Sequence, residues 1–242
     1  MKVDDIIEQL KPAALISKKD FEILVHKIEP HYSERSVYLL LNKLKNMGIL
    51  KKVGRNNYLV LSDVEFKTEY SYEHSDIMKE AVQKIEMEYP LVDFQVWELI
   101  QMNEFINHLI AQNVLFIEVE NMLEESVFSM LSKTYPKILL CPTDDIFFTY
   151  SEENTIVIQR LISEAPKPLS GTKSCCLEKL LVDLFSMKLS GQMIQKSEYT
   201  AIYEDAFKRY YIDEKKMFRY ARRRNLEKEI KSFIKGNIKP QL

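Results

Sequence analysis

The strongest constraint on the fold of this chain is a set of three short amphipathic helical patterns near the N-terminus. Apolar residues recur at helical spacing over residues 3–10, 21–28 and 37–47. Residues that end helices follow these patterns, namely Pro12, Pro30 and Gly48. The sequence therefore predicts three helices before residue 49.

Two runs typical of β-strands come directly after the third helical pattern. They read Ile49-Leu-Lys-Lys-Val and Tyr58-Leu-Val-Leu, and the turn sequence Gly54-Arg-Asn-Asn lies between them. Three helices followed by a hairpin predict a winged helix-turn-helix domain. We expect this domain to span residues 1–63.

Such a domain has a geometry suited to DNA, because its third helix can lie in a major groove while the wing contacts phosphates. On the third helix, the residues expected to contact DNA are Ser33, Arg35, Ser36, Tyr38, Asn42 and Lys43. On the wing they are Lys51, Lys52, Arg55 and Asn56. Winged helices also serve as protein-interaction modules, so an interaction role without DNA is the alternative.

From residue 64 onward, longer helices and strands alternate. Strands are predicted at 92–97, 114–120, 137–141 and 155–159, and helices at 76–88, 101–111 and 122–135. The alternation predicts a mixed α/β domain over 64–242 with a partly parallel sheet. Its C-terminal end, from about residue 174, is expected to be helical, with helices at 198–211 and 214–234. The fold class is thus α+β or α/β, with a winged helix first.

Charge is distributed unevenly, although the net charge is only −2. Residues 1–64 carry 11 Lys and Arg against 8 Asp and Glu, residues 65–207 carry 11 against 24, and residues 208–242 carry 12 against 4. The basic ends fit an anionic partner. In the tail, the residues of a possible second anionic contact are Lys215, Lys216, Arg219, Arg222 and Arg223. That partner would be nucleic acid or an acidic protein surface, and the alternative is a solvated helix face.

An α/β domain raises the question of catalysis. Asp93, Glu118 and Glu120 are similar to the acidic cluster of restriction-type nucleases, which would make a metal-dependent nuclease the alternative function. Those enzymes place a lysine after the second acid, whereas this strand reads Glu118-Val-Glu120. We therefore expect these acids to face solvent and the chain to have no catalytic residues.

Cofactor and metal sites are not expected either. Five glycines form neither a Walker loop nor a dinucleotide-binding turn. The four histidines, His26, His31, His74 and His108, are each expected to be isolated surface or packing residues. The cysteines, Cys141, Cys175 and Cys176, have no zinc-binding spacing and are expected to be reduced and inert. Trp97 is expected to lie in the core.

Two motifs near the C-terminus resemble a known family. One is Cys176-Leu-Glu-Lys-Leu-Leu-Val-Asp-Leu-Phe and the other is Tyr220-Ala-Arg-Arg-Arg-Asn. Together with the N-terminal winged helix and the middle α/β segment, they resemble the AbiEi-like antitoxins of type IV toxin–antitoxin (abortive infection) systems. A member of this family that used its second domain on nucleic acid would be expected to carry more positive charge there. The acidic middle of this chain is a departure from that pattern.

The resemblance implies a non-catalytic transcriptional autorepressor that binds inverted repeats in its own promoter. It also implies a nucleotidyltransferase-type toxin as functional partner, without a stable complex.

Another possibility is that the acidic middle mimics nucleic acid for a basic protein. No apolar run reaches the roughly 20 residues of a membrane helix, and residues 1–5 lack a signal pattern, so a cytoplasmic protein is expected.

Overall fold

A computed structural model describes residues 3–11, 14–61, 67–168, 171–186 and 193–238. Within them the protein is a mixed α+β fold with two small sheets and a helical C-terminal end, which confirms the predicted mixed class of helices and strands. The chain divides into two compact units, Met1–Glu69 with Arg209–Tyr211, and Tyr70–Lys208 with Ile212–Leu242. The boundary expected between residues 63 and 64 lies outside the described residues, as does Pro12.

The described residues of the first unit form three helices and three strands. In chain order they are α1 (Val3–Gln9), β1 (Leu15–Ser17), α2 (Lys18–Ile28), α3 (Glu34–Asn46), β2 (Leu50–Gly54) and β3 (Asn57–Val60). The strands form an antiparallel sheet in the order β1-β3-β2. The three predicted helices and the hairpin are confirmed. Strand β1 was not predicted, because three residues are too few to show an alternating pattern.

Local sequence explains where these elements begin and turn. The Ser17 hydroxyl accepts a hydrogen bond from the Asp20 backbone N–H at 3.1 Å and so caps α2. Between β2 and β3 the chain reverses at Asn56, whose φ of 60° lies in the left-handed region that asparagine tolerates. The helices pack on the sheet through a buried core that includes Phe21, Leu41 and Leu44.

The second unit contains the remaining elements. They are α4 (Asp76–Glu88), β4 (Phe94–Glu98), β5 (Val114–Val119), α5 (Glu124–Leu131), β6 (Ile138–Leu140), α6 (Asp144–Tyr150), β7 (Thr155–Arg160), α7 (Leu177–Asp183), α8 (Tyr199–Arg209), α9 (Glu214–Arg223) and α10 (Glu227–Asn237). Two short 3₁₀ helices lie at Leu99–Glu104 and Lys196–Glu198. Across the described ranges, no helix combines the length and apolar character needed to cross a membrane.

The sheet of the second unit has the order β4-β5-β7-β6. Strand β4 runs antiparallel to β5, while β7 runs parallel to both β5 and β6, so the predicted partly parallel sheet is confirmed. One face packs against α4 and α5 through an apolar core. On the other face Trp97 stacks on Phe116 with ring centroids 4.1 Å apart, and Trp97 is buried as predicted.

Two helix predictions in this unit were wrong, and one helix was missed. The helix expected at 101–111 is only the 3₁₀ helix Leu99–Glu104, because the Asn103 side chain closes a loop by bonding both the N–H and the carbonyl of Ile110. The helix expected at 214–234 is two helices, separated at Asn225 with φ of 59°. Helix α6 was not predicted and is capped by Thr143.

Candidate nucleic-acid interface

The solvent-facing side of α3 presents one continuous stripe, which we call the α3 stripe. Its members recur at i, i+3, i+4, i+7 and i+11, and they are Arg35, Tyr38, Leu39, Asn42 and Asn46. Tyr38 is 53% exposed and Leu39 is 60% exposed. Of these, Leu39 and Asn46 were not predicted. Their helical spacing from Arg35 and Asn42 was the signal that could have revealed them.

Ser33 and Ser36 start the helix. The Ser33 hydroxyl accepts a hydrogen bond from the Ser36 backbone N–H at 3.2 Å, and the two Oγ atoms lie 2.9 Å apart. Ser33 is therefore the N-cap of α3, in the β region of backbone conformation. Any contact of these two hydroxyls with a phosphate would be additional to this capping role.

Lys43 does not belong to the exposed side of α3, so its predicted DNA contact is corrected. Its side chain is only 10% exposed, and its Nζ lies 3.6 Å from the Glu69 carboxylate and 5.7 Å from the centre of the Tyr211 ring. Position 43 is three residues after the buried Leu40 and four before the buried Met47, so it borders the buried stripe. Lys43 thus helps to hold the first unit together.

The predicted wing corresponds to the hairpin of β2 and β3. Lys51, Lys52, Arg55 and Asn56 are all exposed, as a phosphate-contacting wing requires. The Asn56 carbonyl accepts a hydrogen bond from the Lys18 backbone N–H at 2.8 Å, which fixes the turn of the wing to the start of α2. Arg55 therefore projects from an anchored turn, while Lys51 and Lys52 lie on strand β2.

The predicted cations of the tail lie on α9, where Lys215, Arg219 and Arg222 share one exposed stripe at i, i+4 and i+7. The guanidinium of Arg222 is clamped by the Glu227 carboxylate through bonds of 2.8 and 2.9 Å. Arg223 donates to the Ser163 hydroxyl at 2.7 Å. Lys216 is partly buried on the flank of the stripe. An anion would thus meet Lys215 and Arg219 directly and would compete with Glu227 for Arg222.

The three acids of the nuclease hypothesis have other partners. Both carboxylate oxygens of Asp93 lie 2.8 Å from the Lys167 ammonium, and Glu120 accepts a bond from the Asp93 backbone N–H at 2.9 Å. Glu118 is buried, so the prediction that it faces solvent was wrong. In the part of the chain that the structure describes, no group of three or more His, Cys, Asp or Glu side chains is placed to hold a metal ion.

A family model matches residues 36–240 of the chain, and its description is a family of unknown function, DUF6577. The chain belongs to the DUF6577 family. The matched region starts inside α3 and continues through the wing and the second unit. No curated protein matches the chain.

The matched region of this DUF6577 chain contains a buried ionic network around Lys179. This lysine is fully buried on α7, and its ammonium lies 2.5 Å from the Glu118 carboxylate and 2.7 Å from that of Asp183. Trp97 Nε1 donates to Glu118 at 3.2 Å, and the Tyr220 hydroxyl donates to Asp183 at 3.1 Å. The two C-terminal sequence motifs therefore meet in the interior of the second unit.

Electrostatics keeps the centre of this network charged. Burial acts to lower the pKa of Lys179, but the carboxylates of Asp183 and Glu118 outweigh it and hold that pKa well above its usual value. Burial together with the negative charge of Asp183 raises the pKa of Tyr220. Arg224 approaches Asp183 at 3.6 Å and adds a second cation. The network joins strand β5 to helices α7 and α9, which is a structural role.

Two histidines expected to be isolated have carboxylate partners, which corrects that prediction. His108 Nδ1 lies 2.9 Å from the Glu198 carboxylate. His74 Nδ1 lies 3.2 Å from the Glu98 carboxylate, and its Nε2 lies 2.8 Å from the Ser174 hydroxyl. These partners are 90, 24 and 100 residues away along the chain, so no local spacing could reveal them.

Two of the three cysteines fit the expectation of reduced, inert thiols. Cys175 and Cys176 are buried, and burial raises the pKa of both thiols, which keeps them protonated and unreactive. Cys141 is exposed, so burial does not protect this third thiol from reagents.

Proposed function

We propose that this chain binds duplex DNA through its first unit, with α3 in the major groove and the wing on the phosphate backbone. The observation that carries the proposal is the pairing of the α3 stripe with an exposed wing that bears Lys51, Lys52 and Arg55. Neither surface is occupied by the core of its own unit. Polar side chains on a helix that fits the groove, flanked by cations, are what DNA recognition needs.

The order of elements supports this proposal. The helix α3 follows α2 after a short turn and is itself followed by the hairpin, which is the arrangement of a winged helix-turn-helix. In such domains the second helix of the turn enters the groove with its first residues against the base edges. Here those residues are Arg35, Tyr38 and Leu39, on the first two turns of α3.

Three members of the α3 stripe have a chemistry suited to a base edge. Arg35 fits the two acceptors of guanine, and Asn42 fits the donor and acceptor of adenine. Leu39 offers an apolar contact for a thymine methyl group. Lys51, Lys52 and Arg55 would contribute affinity without sequence information, because phosphates are common to all sequences.

We further propose the biological role that the AbiEi resemblance implies, namely an autorepressing antitoxin in the cytoplasm. Its DNA partner would be inverted repeats in its own promoter, and its functional partner a nucleotidyltransferase-type toxin. An inverted repeat calls for two copies of the chain, and two weakly basic domains would add their contacts on one duplex. The motifs that carry the resemblance contribute to the buried network around Lys179, so we assign them to the stability of the second unit.

Charge reversal tests the DNA-binding surface. The double variant Arg35→Glu with Arg55→Glu should bind duplex DNA at least about tenfold more weakly. Its log affinity should also fall less steeply with log salt, by about 1 in slope, because Arg55 is the phosphate contact of the two. The matched control is Lys84→Glu with Lys133→Glu, which changes the net charge equally in the second unit. Fluorescence anisotropy with a labelled duplex measures both. Equal affinities of the two double variants would place the DNA-binding surface elsewhere.

A protein-interaction module is the second candidate, and the exposure of Tyr38 and Leu39 favours it. Aromatic residues are enriched at protein interfaces, and Tyr38 stands beside an exposed leucine. The variant Tyr38→Ala with Leu39→Ala separates the two functions. Loss of a protein partner with unchanged duplex affinity supports the interaction module, whereas weaker duplex binding supports the groove contact.

A further inference from the structure

Three side chains in the second unit, Ser174, His74 and Glu98, are linked in a row by short polar contacts. They belong neither to the proposed DNA contact nor to the buried network around Lys179. The Ser174 hydroxyl is 2.8 Å from His74 Nε2, and His74 Nδ1 is 3.2 Å from the Glu98 carboxylate. They come from the segment before α4, from the end of β4 and from the segment that pairs with β4. The order is that of a nucleophile, a base and an acid that orients the base.

Glu98 is held firmly as the orienting acid. It is fully buried, and its carboxylate also accepts bonds from the Ser75 backbone N–H and from the Asn113 side-chain amide, both at 2.7 Å. Burial acts to raise the pKa of Glu98, but the bonds from His74, Asn113 and Ser75 outweigh it and lower that pKa. The carboxylate is therefore charged at neutral pH and holds the hydrogen of His74 on Nδ1.

This tautomer leaves the lone pair of His74 Nε2 directed at Ser174. A lone pair at 2.8 Å is within reach of the serine hydroxyl hydrogen, which is the geometry that general-base activation requires. The Tyr72 ring packs edge-on against the imidazole, with centroids 5.1 Å apart, and limits its rotation. The imidazole is thus fixed from three sides.

The backbone around Ser174 is also fixed. The Val96 N–H donates to the Lys173 carbonyl at 2.8 Å, and the Cys175 N–H donates to the Val96 carbonyl at 2.9 Å. Within the described ranges, the N–H of Ser174 itself has no backbone acceptor. A backbone N–H of the nucleophile is one of the donors that stabilise the oxyanion in acyl transfer. Ser174 is partly exposed, so a small substrate has access to it.

We propose that Ser174, His74 and Glu98 form a hydrolytic triad that accepts the acyl group of small carboxylic esters. Ser174 Oγ attacks the ester carbonyl carbon as its proton passes to His74 Nε2. The bond between the carbonyl carbon and the alkoxy oxygen then breaks, and His74 Nε2 gives that proton to the leaving alcohol. Water then attacks the acyl-serine with His74 again as base, and the carboxylic acid and Ser174 are released. Ser174 and His74 are the catalytic residues, while Glu98 is a positioning residue. This activity is independent of the proposed DNA binding.

The test uses the full chain and a fluorophosphonate, which phosphonylates activated serines. We expect one adduct on the folded protein, mapped to Ser174 by peptide mass spectrometry. Ser174→Ala should abolish it, and His74→Gln should slow labelling at least about 100-fold. The matched control, Ser132→Ala, removes an exposed hydroxyl at the end of α5 and should label as the unchanged chain does.

Glu98 has its own readout. Labelling of the unchanged chain should rise with pH, and Glu98→Gln should shift this profile to lower pH, since the catalytic base loses the carboxylate that stabilises its charged form. A purely structural role would change thermal stability without moving the profile. Hydrolysis of p-nitrophenyl acetate by the folded chain should follow the same pattern. Absence of an adduct at Ser174 of the folded unchanged chain, or equal labelling of folded His74→Gln, would overturn the proposal.

Discussion

The buried network around Lys179 makes a quantitative prediction for the variant Lys179→Met. Methionine is close to lysine in volume, so the substitution removes the charge while largely filling the space. It leaves the carboxylates of Glu118 and Asp183 inside the second unit without the cation that they share. Removing one partner of a buried ion pair costs about 3–5 kcal/mol, because the remaining charge stays desolvated. That is a large part of the roughly 5–15 kcal/mol by which domains are stable.

Urea unfolding followed by tryptophan fluorescence measures this loss. Trp97 is the single tryptophan of the chain, lies in the second unit and donates to Glu118, so its emission reports on the network directly. With an m-value of about 3 kcal/mol/M, the unfolding midpoint should fall by at least about 1 M. The control Lys84→Met, on α4, should leave the midpoint unchanged.

A double variant separates charge from packing. In Lys179→Met with Glu118→Gln, one of the two stranded carboxylates is replaced by a neutral amide, so part of the lost stability should return. If Lys179→Met unfolds at the midpoint of the unchanged chain, or if the two substitutions lower the stability additively, Lys179 does not compensate the charge of these carboxylates.

Three more predictions follow from the structure. A maleimide should modify Cys141 rapidly in the native chain, whereas Cys175 and Cys176 should react only after unfolding, as counted by intact mass in native buffer and in denaturant. The pKa of Glu98 is lowered on folding, so this carboxylate stabilises the folded state at pH values above its unfolded pKa of about 4.5. That stabilisation is lost as the pH falls through the lower pKa of the folded state. Glu98→Gln should remove this part of the acid dependence when unfolding is measured over a pH series. Lys43→Ala should lower the thermal stability of the first unit, since this lysine faces Glu69 rather than solvent. The slope of log duplex affinity against log salt should not change. A smaller slope would mean that Lys43 contacts DNA.

Local patterns were sufficient for most of the elements and for much of the candidate DNA surface. The spacing of apolar residues in α3 determines which side is buried, and so it also determines that Arg35 and Asn42 are on the other side. The same reasoning applied strictly would have placed Lys43 at the border and included Leu39. The wing cations were predicted because a turn sequence between two short strands exposes nearly every side chain that is not needed for the core.

Contacts between distant parts of the chain could not be predicted from the sequence. Glu118 and Lys179 are 61 residues apart, and only the packing of α7 against the sheet turns an apparently solvent-facing strand acid into a buried one. The line from Ser174 through His74 to Glu98 depends in the same way on three separate segments. Loop closure by the Asn103 side chain overrode the helical pattern at 101–111, because a side-chain bond to the backbone competes with helical hydrogen bonds.

Binding of the full chain to a fluorescent duplex from its own upstream region, compared with a scrambled duplex over a salt series, tests the central proposal most directly. We predict tighter binding to the upstream duplex than to the scrambled duplex. For both duplexes the log affinity should fall linearly with log salt, because phosphate contacts release counterions. Equal and weak binding to both duplexes even at low salt would contradict the account.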